Sequence, residues 1–574
     1  MDLESSRDTE PVIPMRKRKI TTGGWKTSPF ILVSQCLATL GFQGVTVNLV
    51  LYLTKVLHDG NAPAANSVSN WSGTAFFTSV IGAFVGDAYL GRYLTTSIFL
   101  AIDFVGFLLL SLSASLPSLR PPPCSDNALE CRQATTVQRA TLYSALYIVA
   151  LGNGGYQPTM SALGADQFDD SDPSEKNQEN VFFNWYYVAL TTGALIAATL
   201  LVYIENNISW GLGYGLCAAS LGVSLSVFLC GTPYYRQSKP GGNPFVRIAQ
   251  VLVASARKIG VEAPLNSDFL YEVEDHKEAA IAESRKIAHS QEFRFLDKAA
   301  TRIDTQEFST AEKSPWYLCT VSQVEEVKCI IRMTPIWVGN ILFSSIYVQM
   351  LTLFIVQGAT MNTELGNFKL PPATLSTFGT ISVIMCTFCY EYCLVPCMRR
   401  MTGNQRGLTP LQRMGTGFFI MTLAMMAAAI VEKYRLDIAR KHGMLDEKEK
   451  PVPMSVFWQI PQFFLVGAAE VFTFIGQLDF FYEQAPDSIR GVGVAFAYIS
   501  YALGNYVSTL LVIVVNHLTR TGNGDGWISD NLNRGHLDWF FWLMASLSVL
   551  NLAVYLMSAQ RYKGIKLKSI AATS

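Results

Sequence analysis

Two sets of apolar stretches, each long enough to cross a lipid bilayer, flank one long charged segment, Thr232 to Lys328. A helix rises about 1.5 Å per residue, so roughly 20 apolar residues are needed to span the hydrocarbon layer. Windows of that kind recur from Phe30 to Leu556, which implies an all-α membrane protein that crosses the bilayer many times. Composition agrees: 50% of the 574 residues are hydrophobic and only 15% are charged, with a mean hydropathy of +0.25. A soluble protein would need each of many separate windows to imitate a span. The net charge is zero, and no local basic patch of nucleic-acid type stands out.

The windows fall near 30–53, 73–90, 94–116, 140–163, 182–203 and 210–230, then 329–356, 374–395, 414–431, 457–481, 491–515 and 539–556. The expected organisation is therefore a segment 1–29, a six-helix bundle 30–230, a linker 231–328, a second six-helix bundle 329–556 and a tail 557–574. Short basic loops stay cytoplasmic. Arg16 to Lys19, then Arg399, Arg400, Arg406 and Arg413, and finally Arg561, Lys563, Lys566 and Lys568 put both termini and the linker in the cytosol. No signal peptide precedes the first span. Within the linker, Phe245–Ile259 and Gln291–Ala300 alternate apolar and polar residues as surface helices do.

Most cysteines are scattered through the spans, where a thiol behaves as a small hydrophobe. Cys124 and Cys131 share the loop after the third span, on the side where a disulfide can persist. Asn207-Ile208-Ser209 and Asn70-Trp71-Ser72 match the glycosylation pattern but abut the membrane.

Polar groups at membrane depth usually face a cavity, because leaving them in lipid is costly. Gln35, Thr39, Gln43 and Thr46 recur every three or four residues and so share one face of the first helix, as a cavity wall or as helix-packing groups. Gly152-Asn153-Gly154-Gly155-Tyr156-Gln157-Pro158 is expected to interrupt the fourth helix beside a cavity. Glu470, alone in an apolar helix, suits a group that exchanges protons or binds a cation, and Asp103 stands near mid-depth in the third helix.

Nothing assembles into an enzyme. There are 6 His, none at metal-ligand spacing, and neither a nucleophile elbow nor a phosphate loop is present. No metal or cofactor is implied. Two six-helix halves joined by a long linker are the layout of a carrier that rocks around a midplane site.

Several local words resemble a known family. Gly82-Ala83-Phe84-Val85-Gly86-Asp87-Ala88-Tyr89-Leu90-Gly91-Arg92-Tyr93 is similar to the loop motif of the major facilitator superfamily, where an acid and an Arg gate the cytosolic side, here Asp87 and Arg92. Gly164-Ala165-Asp166-Gln167-Phe168, Phe182-Phe183-Asn184-Trp185-Tyr186-Tyr187 and Gly476-Gln477-Leu478-Asp479-Phe480-Phe481 resemble the proton-coupled oligopeptide transporters and their plant nitrate/peptide branch, NPF. Leu296-Asp297-Lys298-Ala299-Ala300, Val324-Glu325-Glu326-Val327-Lys328 and Pro335-Ile336-Trp337 resemble the plant members' linker and seventh helix. The resemblance runs from about Gly24 to Lys563 and implies the major facilitator fold.

The chain departs from that pattern where charge matters. The acidic ExxER or ExxEK motif of helix one is replaced by Gln35-Cys36-Leu37-Ala38-Thr39, and the partner Lys of helix four by Gln157. Losing acids and cation together leaves the site electrically balanced. Tyr347 stands where the nitrate-liganding His of the family's nitrate carrier would be, and Thr95 where that carrier has a phosphorylated switch, which would imply a regulatory kinase. Glu470 occupies the position that resembles the amine-binding acid of peptide-carrying members. The helix-one and helix-four words look like the seventh NPF subfamily, whose members are implicated in moving nitrate and, in some cases, in exchanging potassium for protons.

The expectation is a secondary transporter that moves nitrate at low affinity, proton-linked through Glu470 and with Asp103 as a second coupling candidate. The donors around the solute would be Gln35, Thr39, Gln43, Asn153, Gln157 and Tyr347. Potassium/proton exchange, carriage of peptides or other organic solutes such as plant hormones, and a nitrate-sensing receptor stay open as alternatives. The plasma membrane is favoured over the vacuolar membrane.

Overall fold

The structure is a computed structural model that describes residues 23–122, 133–168, 173–236, 244–264, 269–272, 287–302, 314–366, 368–402, 407–447, 450–484, 490–520 and 526–562. Cys124 and Cys131, the basic groups Arg16 to Lys19, Lys563, Lys566 and Lys568, and Arg406 lie outside the described residues.

Before the linker come α1 (Ser28–Lys55), α2 (Asn61–Val85), α3 (Arg92–Ser115), α4 (Thr136–Ala165), α5 (Pro173–Ile196), α6 (Val202–Asn207), which continues the line of α5, and α7 (Trp210–Cys230). The linker carries α8 (Pro244–Arg257) and a 3-10 turn at Arg294–Ala300. After it come α9 (Val321–Tyr347), α10 (Leu353–Ala359), α11 (Ser376–Cys389), α12 (Val395–Thr402), α13 (Pro410–Lys441), α14 (Ile460–Glu470), α15 (Gly476–Gln484), α16 (Arg490–Thr519) and α17 (Leu537–Arg561). Short strands β1 (Met361–Asn362), β2 (Glu364–Leu365), β3 (Phe368–Lys369) and β4 (Val452–Ser455) form two small pairs, β1 with β4 and β2 with β3, at the end remote from the linker.

Among the described residues 11 helical rods are long and apolar enough to cross a membrane. The 30-residue α4, packed between α2 and α3 and less apolar because it carries Asn153, Gln157 and its glycines, makes a twelfth rod. Helix starts are written locally: Thr135 with Gln138, Thr320 with Gln323 and Thr409 with Gln412 each form a reciprocal capping box at the head of α4, α9 and α13. Gly91, at φ 77°, makes the reversal between α2 and α3 that a side chain would resist.

The expected break in α4 does not occur. Helix α4 runs unbroken through Pro158, and its glycines serve close packing instead. A Cβ at Gly152 would stand 2.5 Å from the backbone of Asp103 on α3, one at Gly154 would meet Ala75 O of α2 at 2.6 Å, and one at Gly155 would enter the ring of Phe99. Without a hydrophobic drive between helices in lipid, such close backbone approach is what holds them together. Trp71 Nε1 and Thr78 Oγ1 of α2 then donate to the Leu146 and Ala150 carbonyls of α4, at 2.7 and 2.9 Å.

The linker is bound to the base of α9 by buried ions. The Lys328 ammonium, fully buried, lies 2.7 Å from Asp297 and 2.9 Å from Glu325, and donates to the Ser290 carbonyl. Arg247 of α8 holds both oxygens of Glu326, at 2.8 and 3.2 Å.

Candidate functional site

Where the helices before the linker face those after it, a cavity of about 660 Å³ opens, walled by α1, α2, α4 and α5 on one side and α9, α11, α14 and α16 on the other. Its polar lining includes Thr39, Gln43, Gln157, Tyr347, Glu470 and Asn505. Adjoining it is a smaller space of about 110 Å³ lined by Gln35, Asn153 and Tyr156, which shares Thr39, Gln43 and Gln157 with the larger one. All seven residues expected to bind solute therefore meet in one region. No Lys, Arg or His lines either space among the described residues.

The α1 stripe lies along the wall because Thr39, Gln43 and Thr46 repeat at the helical period. Gln35, one step further along, is 1% exposed; its amide Nε2 donates to Thr39 Oγ1 at 3.1 Å and its Oε1 has no partner. Asn153 Nδ2 donates to the Tyr156 hydroxyl at 2.9 Å. Across the cavity, Tyr347 donates to Glu470 Oε2 at 3.1 Å. Glu470 ends α14, and the next turn, Val471–Ile475, widens to a π-helix. Such turns are frequent at functional sites because they re-aim side chains without ending the helix.

The sequence reading missed the aromatic wall. Tyr186, Tyr187, Phe474, Tyr498 and Tyr501 line the cavity with Phe76, and Tyr501 packs at once against Tyr347, Phe474 and, from the other half, Phe76. In sequence these rings are indistinguishable from ordinary packing residues of apolar helices; only the Phe182–Tyr187 run offered a signal.

Asp103 is not part of this site. It is fully buried on α3 against Gly152, neither carboxyl oxygen has a hydrogen-bond partner, and it lines neither space.

Asp87 and Arg92 meet at the linker end of α2 and α3, with Arg92 Nε 2.9 Å from Asp87 and Nη1 2.6 Å from Asp166 at the end of α4. Asp166 was not picked out as the third member of this lock. A comparable pair after the linker is Arg413 and Asp479, 3.4 Å apart, with the Arg413 guanidinium 4.0 Å over the Tyr390 ring. Thr95 is fully buried and its Oγ1 lacks a partner, so a kinase could reach it only after α3 parts from the turn at Gly86.

At the opposite end the halves are fastened. Asn61 donates from its backbone to Asp530 Oδ1 at 2.9 Å and from its side chain to the Ser529 carbonyl at 3.0 Å. Thr509 donates to Asn70 Oδ1 at 2.9 Å, and Tyr203 stacks on Phe368 at 5.4 Å. Nearby, Asp59 pairs with Arg139 at 2.6 Å; burial pushes the Asp59 carboxyl above its ordinary range, against the pull of Arg139. The cavity extends toward the linker end, reaching Leu478 and Asp479.

His289, Asp297 and Glu325 converge closely enough to resemble a metal site. The two carboxylates already hold the Lys328 ammonium, which makes the group an ion-pair knot.

Comparison with known proteins places this architecture. The POT family profile matches residues 93–528. The chain is 49% identical over 551 residues to Protein NRT1/ PTR FAMILY 8.3 of Arabidopsis thaliana, covering 96% of this chain and 94% of that one. It is 48% identical to FAMILY 8.1, over 96% of this chain and 95% of that one, and 45% to FAMILY 7.3, over 95% and 90%, all from the same plant. The eighth-subfamily relatives thus exceed the seventh-subfamily one, against the subfamily expected from the helix-one and helix-four words. In fold, it superposes on an auto-inhibited POT family peptide transporter with a TM-score of 0.67 at 19% identity, over 94% of this chain and 97% of that one. A second superposition, on the POT family transporter PepTSo, gives 0.65 at 19% identity over 94% and 98%.

Proposed function

The chain belongs to the POT family of membrane transporters, and on that premise we propose that it carries an amine-bearing organic solute, a short peptide or a compound of similar size, by proton-linked alternating access. Glu470, facing a large aromatic cavity that offers a carboxylate and no cation, is the observation that carries this reading. An ammonium group is held well by one carboxylate inside a box of ring faces, because the negative faces of Tyr and Phe add attraction that water does not match once the site is dry.

Nitrate, the substrate first expected, has less support. A small anion asks for positive charge or converging donors, and the acid of the cavity repels it; a space of about 660 Å³ is also far larger than a bare anion or a potassium ion needs. The names of the eighth-subfamily relatives carry NRT1 and PTR alike and favour no substrate by themselves; one protein of similar fold is a peptide transporter.

In this reading Glu470 holds either a proton or the solute amine. A proton binding from the acidic side releases the amine to that side, so the two are exchanged in opposite directions while the halves rock around Tyr501 and Phe76. The test is uptake of alanine dipeptide and its amide into proteoliposomes, alongside nitrate and potassium flux, with and without an imposed pH gradient. Saturable uptake of an amine solute, stimulated when the vesicle interior is the acidic side, is expected, falling at least 10-fold in Glu470→Gln while the protein stays monodisperse. Nitrate flux without uptake of any amine solute would overturn the proposal.

A further inference from the structure

The smaller space beside the main cavity has no role in holding an amine, and its lining differs in kind. Gln35, Gln43, Asn153 and Gln157 supply four amides, Thr39 a hydroxyl and Tyr156 a phenol. None of these groups carries charge at neutral pH. Glu470 lies across the larger cavity, on the other half of the molecule, so a solute held by both must reach from one half to the other.

Taking the proposed amine transport as given, we infer that the amide-lined space is a second subsite for an uncharged hydrogen-bonding group, so that the favoured solute is an amine cation with a neutral far end, of the peptide-amide class, rather than a zwitterion.

Two observations carry this. The first is charge count. A cationic amine neutralises Glu470, the other acid of the lining, Asp479, being paired with Arg413, whereas a zwitterion brings a carboxylate that meets no Lys, Arg or His among the lining residues. An ion taken out of water without an opposite charge pays a large desolvation penalty, and neutral amides return only part of it. A primary amide exchanges its hydrogen bonds to water for equivalent ones here.

The second is Gln35. Its side chain is 1% exposed, lines the small space, and gives its N–H to Thr39 while its carbonyl oxygen stands without a donor. Such an acceptor, closed off as the side chain now sits, meets a donor when the amide turns toward the space, and the donor must then be an N–H or O–H, which an amide supplies and a carboxylate does not. Size agrees: a water takes roughly 10–15 Å³ of such a space, so about 110 Å³ admits a group of several heavy atoms.

The experiment is direct uptake of L-alanyl-L-alanine amide and of L-alanyl-L-alanine into proteoliposomes at about pH 6, below the α-amino range, for the native protein, Gln157→Lys and Gln43→Leu. Native protein is expected to take up the amide with a KM at least 10-fold below that of the free acid. Gln157→Lys, which places a cation in the subsite, should narrow or reverse that ratio, and Gln43→Leu should raise the KM of the amide more than that of the acid. A native protein that takes both equally, or prefers the acid, overturns the subsite while leaving the amine-transport reading intact. Uptake of neither, with nitrate moving, overturns both.

Discussion

At Glu470 the carboxylate accepts one hydrogen bond, from Tyr347, and otherwise faces the cavity. A single such bond is worth about 1 kcal/mol, a factor of roughly five in affinity. Tyr347→Phe, which keeps the ring and its packing against Tyr501, is therefore expected to lower amine uptake roughly three- to tenfold, most of it in KM, as read by initial-rate kinetics in vesicles. Gly152 is a residue-scale case of another sort. A methyl there would stand 2.5 Å from the Asp103 backbone, which no rotamer can relieve, so α3 and α4 must part. Gly152→Ala should lower the thermal midpoint of the detergent-solubilised protein by several degrees, whereas Gly366→Ala, at a loop position with open space around it, tests only the backbone cost of its positive φ and should do less.

Among the elements, α13 carries an interaction that hydropathy conceals. Glu432 and Arg435, both fully buried, pair at 2.6 Å. Gln357 of α10 donates to Glu432 at 2.8 Å, and Arg435 donates to Asn533 at 2.6 Å. Breaking a buried pair by removing one member typically costs about 3–5 kcal/mol, while replacing both by apolar groups costs far less. Arg435→Ala should accordingly fail to accumulate as monodisperse protein, and the double change Arg435→Met with Glu432→Met should recover much of the loss in fluorescence-detected gel filtration. The sequence reading stopped this span at residue 431, although the helix runs to Lys441, because an average over a window counts a charge against lipid whether it faces lipid or a partner helix. The twelve rods were legible for the same reason in reverse, since each sums many apolar residues. The glycine run of α4 misled because a helix break and a close helix crossing call for the same residues; only the neighbours, Asp103 and Ala75, tell them apart. In the site, the polar residues of α1 and α4 with Tyr347 and Glu470 were visible against an apolar background and line one region, whereas Asp103, equally visible, packs on Gly152 away from it. The aromatic wall was not visible, since a ring on a cavity and a ring in a core leave the same trace in sequence.

For the whole molecule, hydrogen bonds joining the halves among the described residues cluster at the end remote from the linker, with one more, Thr74 to Tyr506, near mid-depth, and the cavity reaches the other way. Asn61→Ala removes the side-chain share of that fastening. In a protein with Thr46→Cys as reporter on the cavity wall, it is expected to raise labelling by a membrane-impermeant maleimide from the remote side several-fold, with unchanged labelling from the linker side. Equal labelling with and without the change would mean that other contacts hold the halves shut.

The same fastening bears on direction. Three hydrogen bonds to Asp530, Ser529 and Asn70, at about 1 kcal/mol each, correspond to a ratio of roughly 150 to one between shut and open. A solute arriving at the remote face then meets an admitting conformer roughly once in 150 encounters, so entry from that face is slowed by the same factor relative to the linker face. With no gradient imposed the overall equilibrium is unchanged, and the asymmetry lives in the rate of access, set by donors on Asn61 and Thr509 rather than by the groups that touch the cargo.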